Sequence, residues 1–229
     1  MKTSASLFLV TLAVSLLGCN SLSRNEAPPL VSPLTGSQTL PVGASLDDEI
    51  LCIETAKAVV EKGHVEEAIK LYARAEEISK EGKQYDLELA RLLSQRGDYA
   101  ESISRFQRHC SRHAAEADVY NDYAWACIGA ERYPLAAQVA AEGQERHPDH
   151  ERLAATTACL QFHLGKPDQA LASFTQLYGD AAAYQNLAVL ALELGDADSA
   201  KQYLVKAMAC DGCSDEVYQM HEAIRKHTD

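Results

Sequence analysis

The sequence predicts an all-α chain of about five helical hairpins stacked side by side, and three observations predict it. Gly63, Gly97 and Gly165 stand in the turn contexts EKGHVEEA, QRGDYAES and HLGKPDQA, on a grid of 34 residues that also lands on Glu131 in AERYPLAA. Small residues recur at fixed offsets on either side of each of these anchors. Alanine is abundant while β-branched residues form no long alternating runs, which favours helix over strand.

Length and charge narrow the reading. A chain of 229 residues can build one sizeable domain, and its apolar fraction of 47% is ordinary for a globular protein. A formal charge of -12 excludes nucleic acid as a partner, because a phosphate-binding surface needs a basic patch. The same sign argues against the folded body lying on an anionic membrane.

The first eighteen residues read as an address. Lys2 supplies a positive start, and Leu7 to Leu17 form an apolar run shorter than the roughly 20 residues that a spanning helix needs. The run ends Leu16-Leu17-Gly18-Cys19, which resembles the lipobox of bacterial lipoproteins. The resemblance implies cleavage before Cys19 and acylation of its thiol and new amino group. Several acyl chains then give stable anchoring where one is marginal. Asn20 in place of an aspartate favours the outer membrane, the body facing the periplasm. The expected membrane attachment is this lipid alone, and no other cofactor is expected. Residues 19–46 are rich in Pro, Ser, Gly and Thr and carry no helical or strand period. A coil of that length spans roughly 30 Å, enough to hold a folded body clear of the lipid.

Residues 47–211 carry the hairpins. A fifth anchor, Gly195 in ELGDADSA, follows Gly165 by 30 residues, so one connection is expected to be about a helical turn shorter. Seven residues before each anchor stand Ala56, Ala90, Ala124, Ala158 and Ala188; five after stand Ala68, Ser102, Ala136, Ala170 and Ala200. Only small side chains let two helices cross closely at such points. Larger apolar groups follow four residues on at Tyr72, Phe106, Phe174 and Leu204, with Ala140 the exception. The anchor suits glycine because a helix C-cap takes positive φ. Glu131 breaks that rule, so its turn is expected to be the least regular. The 34-residue period and these positions resemble the tetratricopeptide repeat (TPR), with Pro148 at the inter-repeat position. That resemblance implies a right-handed α-solenoid. Residues 212–229, with Val217, Met220 and Ile224 at helical spacing, read as a capping helix.

In the TPR family the first helix of each repeat lines a concave groove. Three layers follow by offset: Ile53, Leu87, Asn121, Ala155 and Gln185; Lys57, Arg91, Trp125, Cys159 and Val189; Val60, Ser94, Ile128, Phe162 and Leu192. None is acidic, in a chain with 33 acidic residues. The expected partner-binding groove is Lys57, Arg91, Asn121, Trp125, Phe162 and Val189, weakly basic at one end and apolar at the other. Trp125, the only tryptophan, suits a partner contact because a large ring carries a polar N–H.

Beyond Cys19, six cysteines remain. Cys210-Asp211-Gly212-Cys213 falls at a helix end, where a structural disulfide is expected. A catalytic dithiol needs a helix N-terminus to stabilise its thiolate, and Cys210 lies at a C-terminus beside Asp211. Cys52, Cys110, Cys127 and Cys159 fall on helical positions consistent with burial. His109 and His113 have metal-ligand spacing, but no Glu completes an HExxH pattern and no metal site is expected. No phosphate loop or nucleophile elbow stands out, so the chain does not read as an enzyme.

Lipobox, tether and compact repeat array together resemble the pilotin-type, TadD-like lipoproteins of type IV and Tad (tight adherence) pilus systems. That resemblance implies an assembly factor whose partner is an envelope protein, a secretin subunit. A second reading is an adaptor that recruits or regulates peptidoglycan enzymes or proteases in the periplasm.

Overall fold

A computed structural model describes residues 46–228. The lipobox and all but the last residue of the tether lie outside the described residues. Those residues form eleven α-helices and no strand. They fall into two compact units divided between Leu92 and Leu93.

In the first unit, α1 (Leu46–Glu61) and α2 (Val65–Ile78) form a hairpin, followed by α3 (Asp86–Arg96), whose residues 86–92 belong to this unit. Ala56 and Ala68 are fully buried and Tyr72 nearly so. Tyr72 packs on Tyr85, ring centroids 5.8 Å apart. The long α2–α3 connection is held by side chains rather than by length. Tyr85 Oη donates to Glu49 Oε1 at 2.7 Å, Lys83 Nζ lies 3.7 Å from the same oxygen, and the Tyr85 amide donates to Glu76 Oε1 at 2.9 Å. The Tyr85 hydrogen bond, with help from Ser79 and Lys83, holds the buried Glu49 carboxyl below its ordinary value despite desolvation.

In the second unit the helices are α4 (Tyr99–Arg112), α5 (Ala117–Gly129), α6 (Tyr133–Arg146), α7 (Glu151–His163), α8 (Pro167–Tyr178), α9 (Asp180–Glu193), α10 (Ala197–Met208) and α11 (Asp215–Thr228). Each packs on the next in sequence, and the first helices of successive hairpins also touch, α5 on α7 and α7 on α9. This is the contact pattern of a solenoid, in which each repeat buries its apolar face on its neighbours. The small positions are the crossing points: Ala124, Ala136, Ala158, Ala170, Ala188, Ala200 and Ser102 all have zero exposure. Gly143 marks a closer crossing still. A Cβ there would stand 2.6 Å from Tyr120 Cβ on α5 and 2.7 Å from Leu153 Cδ2 on α7. The 30-residue spacing before Gly195 is taken up at one place. A single residue, Gly179 at φ 81°, joins α8 to α9, whereas four residues join α4 to α5 and α6 to α7.

The hairpin turns correct one expectation. All five share one backbone pattern: the anchor N–H donates to the carbonyl three residues back, and the next N–H to the carbonyl five back. That is the Schellman closure. At this turn the Glu131 N–H donates to the Ile128 carbonyl and the Arg132 N–H to the Cys127 carbonyl, each at 2.8 Å, as well as at any glycine anchor. Glu131 adopts φ 56°, the only positive φ outside glycine among the described residues. The turn at Glu131 is therefore as regular as the others, and the cost falls on its backbone conformation instead.

The terminal helix α11 lays Val217 and Ile224 onto Ala188, Ala191, Leu204 and Ala207, with Met220 and Cys213 partly buried at the rim. No helix among the described residues is long and apolar enough to cross a membrane.

Candidate partner-binding face

The six expected groove residues separate into surface and core. In the first unit Lys57 and Arg91 are exposed. Lys57 Nζ is paired with Glu54 Oε1 at 2.9 Å, one turn away on its own helix, and this bond holds its ammonium above the ordinary lysine value. An acid thus stands beside the Lys57 ammonium, just outside the three layers.

In the second unit Trp125, on α5, is 36% exposed and fixed. Its indole Nε1–H donates to Thr156 Oγ1 on α7 at 3.0 Å. The Thr156 hydroxyl has one proton, and its shortest acceptor is Asn121 Oδ1 at 2.7 Å; the Arg152 carbonyl at 3.1 Å is the weaker alternative. Asn121 lies one turn before Trp125, so three side chains form a closed bridge between neighbouring first helices. Asn121 is only 2% exposed and presents nothing to a partner: it is the inner support of the indole. Val189 is 4% exposed and is also core. Its helix packs on α7, α8 and α10 and is buried continuously from Leu187 to Ala191, which leaves that face no outlook. These two residues are corrected from groove surface to interior. Phe162 is half-buried, its ring edge-on to Tyr203 at 6.3 Å, with Ile128 and Leu192 half-buried at the matching offsets. The outward apolar residues of this row are therefore Trp125, Ile128, Phe162 and Leu192.

The same two helices are tied at their first turns. Asp118 Oδ1 on α5 accepts from Arg152 Nη1 on α7 at 2.9 Å, and His150 Nε2 lies 3.5 Å from it. Held at both levels, α5 and α7 give Trp125 a defined neighbour. Thr156 and Arg152 were not singled out in the sequence; the one available signal was a Thr-Thr pair inside the apolar stretch AATTACL.

The six cysteines of the described region are all thiols. The expected Cys210–Cys213 bridge is not formed in the structure. Cys210 Sγ donates back to the Lys206 carbonyl at 3.2 Å, and Cys213 Sγ to the Ser214 carbonyl at 3.7 Å. Burial pushes the Cys127 and Cys159 thiols up to about 12, so they act as small apolar groups. His109 and His113 tilt against each other, centroids 4.9 Å apart. Among the described residues no group of three or more metal-ligating side chains is assembled.

Comparison with known proteins agrees with this geometry. The tetratricopeptide repeat family matches residues 181–209, the hairpin of α9 and α10. Among solved structures, a thermophilic TPR protein from Thermus thermophilus is 18% identical, with TM-score 0.52, covering 78% of this chain and 99% of its own. MamA from Desulfovibrio magneticus is 16% identical, with TM-score 0.56, covering 72% and 96%. YrrB, described as a TPR protein with an unusual peptide-binding site, is 16% identical, with TM-score 0.57, covering 80% and 93%. No curated protein matches the sequence. The repeat match thus covers the α9–α10 hairpin, and the solved structures share the helical-repeat fold.

Proposed function

We propose that this chain is a protein–protein interaction scaffold that grips an apolar segment of an envelope protein on the Trp125 face. The observation that carries the reading is the fixed indole. A half-exposed tryptophan whose N–H is already satisfied from within offers its ring to a partner with little ordering entropy left to lose. A free surface tryptophan would lose that advantage on binding. A peptide-binding site in YrrB, as its description has it, supports the same kind of use for this fold.

The finer reading places the scaffold at the periplasmic face of the outer membrane, held by lipid on Cys19, as a pilotin-like assembly factor for a secretin. The lipobox supports the anchor, and the tether supports the reach. Labelling with a palmitate analogue tests the anchor: Cys19→Ala is expected to abolish label and release the protein from membranes, and retained label refutes it. For the partner, peptides tiling the secretin are titrated against the single tryptophan's emission. Saturable binding that weakens at least tenfold in Trp125→Ala, followed by calorimetry, supports the reading. An affinity unchanged in both Trp125→Ala and Phe162→Ala removes the face. A secretin multimer that assembles normally in a deletion strain removes the pilotin role.

A further inference from the structure

Of the six cysteines of the described region, Cys52 on α1 and Cys110 on α4 are half-buried within helices, and the other four form two pairs of different setting. Cys127 and Cys159 are sealed in helix crossings. Cys210 and Cys213 are half-buried and flank a two-residue turn, Asp211-Gly212, with Gly212 at φ 78°. A turn of four residues brings its end Cα atoms within about 7 Å, at the outer reach of a disulfide. Each sulfur spends its proton on a backbone carbonyl, at 3.2 and 3.7 Å, contacts weak enough to be given up.

The turn's position gives the pair a consequence. α10 ends at Met208, and the following amides tighten: Ala209 N–H is shared between the Val205 and Lys206 carbonyls, and Cys210 N–H reaches Ala207 O at 3.1 Å. α11 begins at Asp215, and Cys213 packs at the rim of the cluster that receives Val217 and Ile224. These are the buried apolar side chains of α11 among the described residues. The two thiols therefore bracket the joint between α10 and the terminal helix.

We propose that Cys210 and Cys213 form a thiol–disulfide exchange site, taking a disulfide from an oxidised organic disulfide of the glutathione type and so clamping the α10–α11 joint. One cysteine, having given its proton to water, attacks a sulfur of the donor; the donor S–S bond breaks and the first thiolate leaves, taking up a proton. The second cysteine loses its proton and attacks the protein-bound sulfur of the mixed disulfide, and the second donor thiol departs. The protein pair is oxidised by two electrons, and the donor is reduced to two thiols. The new ring closes over only four residues, so it acts on the joint rather than on the whole fold. Local opening of α11 is the motion it suppresses.

The test uses the full chain and oxidised glutathione as the probe. Accessible thiols are blocked with N-ethylmaleimide after oxidation, then disulfides are reduced and the released thiols tagged with iodoacetamide. Two iodoacetamide tags on the peptide spanning 207–216, with no retained glutathione mass, are expected. Amide exchange across 215–226 is expected to slow at least threefold in the oxidised form and to return on reduction. Cys210→Ser and Cys213→Ser must each abolish both effects; using both guards against one variant failing to fold. Maleimide on both positions overturns the exchange site, as does glutathione retained on either. A formed bridge with unchanged exchange across α11 overturns the clamp.

Discussion

The Glu131 turn offers a test of what a backbone angle costs. Glu131 and Gly165 occupy the same position in successive repeats, close their turns with the same pair of hydrogen bonds, and have φ of 56° and 74°. An L-residue in the left-handed region costs roughly 1–2 kcal/mol, and glycine avoids it. Glycine also loses more chain entropy on folding, by about 0.4–1 kcal/mol. Glu131→Gly should therefore stabilise the second unit by about 0.5–1 kcal/mol net, from the difference of these two terms. Gly165→Ala should destabilise it by about the same amount. A Cβ at Gly165 meets no atom within 4 Å, so no clash contaminates the comparison. Glu131→Ala keeps both the left-handed angle and the Cβ and should match the parent. Urea unfolding followed by Trp125 emission is the assay, because the indole sits on α5, whose end is this turn. In thermal scans the shift is about 1–4 °C in either direction. A neutral or destabilising Glu131→Gly, beside an unchanged Glu131→Ala, would refute the reasoning, because the left-handed angle would then carry no net cost at this turn.

Three further outcomes follow from named contacts. Gly143→Ala drives a methyl into Tyr120 Cβ and Leu153 Cδ2 and should cost roughly 1–3 kcal/mol in chemical denaturation. Gly129→Ala should cost less, since it meets only the far end of the Tyr99 ring, which can swing aside. Thr156→Val leaves Asn121 Oδ1 buried and unpaired and frees the indole N–H; we expect a loss of about 1–3 kcal/mol and a shifted Trp125 emission, both restored by Thr156→Ser. His163 stacks on Tyr133 at 4.7 Å with its Nδ1 buried and unpartnered, and burial holds its pKa below the ordinary histidine value. The unfolded chain then binds the proton first, so stability falls as pH drops through about 6.5 toward the folded value. His163→Phe keeps the stack and should flatten that fall between pH 7.5 and 5, measured by urea midpoints.

How much of this was legible in the sequence depends on what each position is constrained by. The crossing residues are constrained locally: Ala124 and Ala136 are fully buried on the two helices of one hairpin, where a larger side chain would force the helices apart, so period and size suffice to find them. The groove is constrained by two helices at once. An offset of six before the anchor leaves Lys57, Arg91 and Trp125 exposed yet buries Cys159 and Val189. The same helical face looks outward on α5 and inward on α9, because α9 is apolar and buried at every position from Leu187 to Ala191 and is packed on three neighbours. Periodicity assigns the face but not the depth of the repeat that covers it. Asn121 fails for the complementary reason. A polar residue at a groove offset reads as a partner contact, whereas here its partner is Thr156, 35 residues on and visible only once α5 and α7 are side by side. The consequence reaches function. A tryptophan alone in the sequence marks a candidate anchor, but the property that makes Trp125 a good one is the bridge behind it, and that bridge belongs to the packing of two repeats rather than to either.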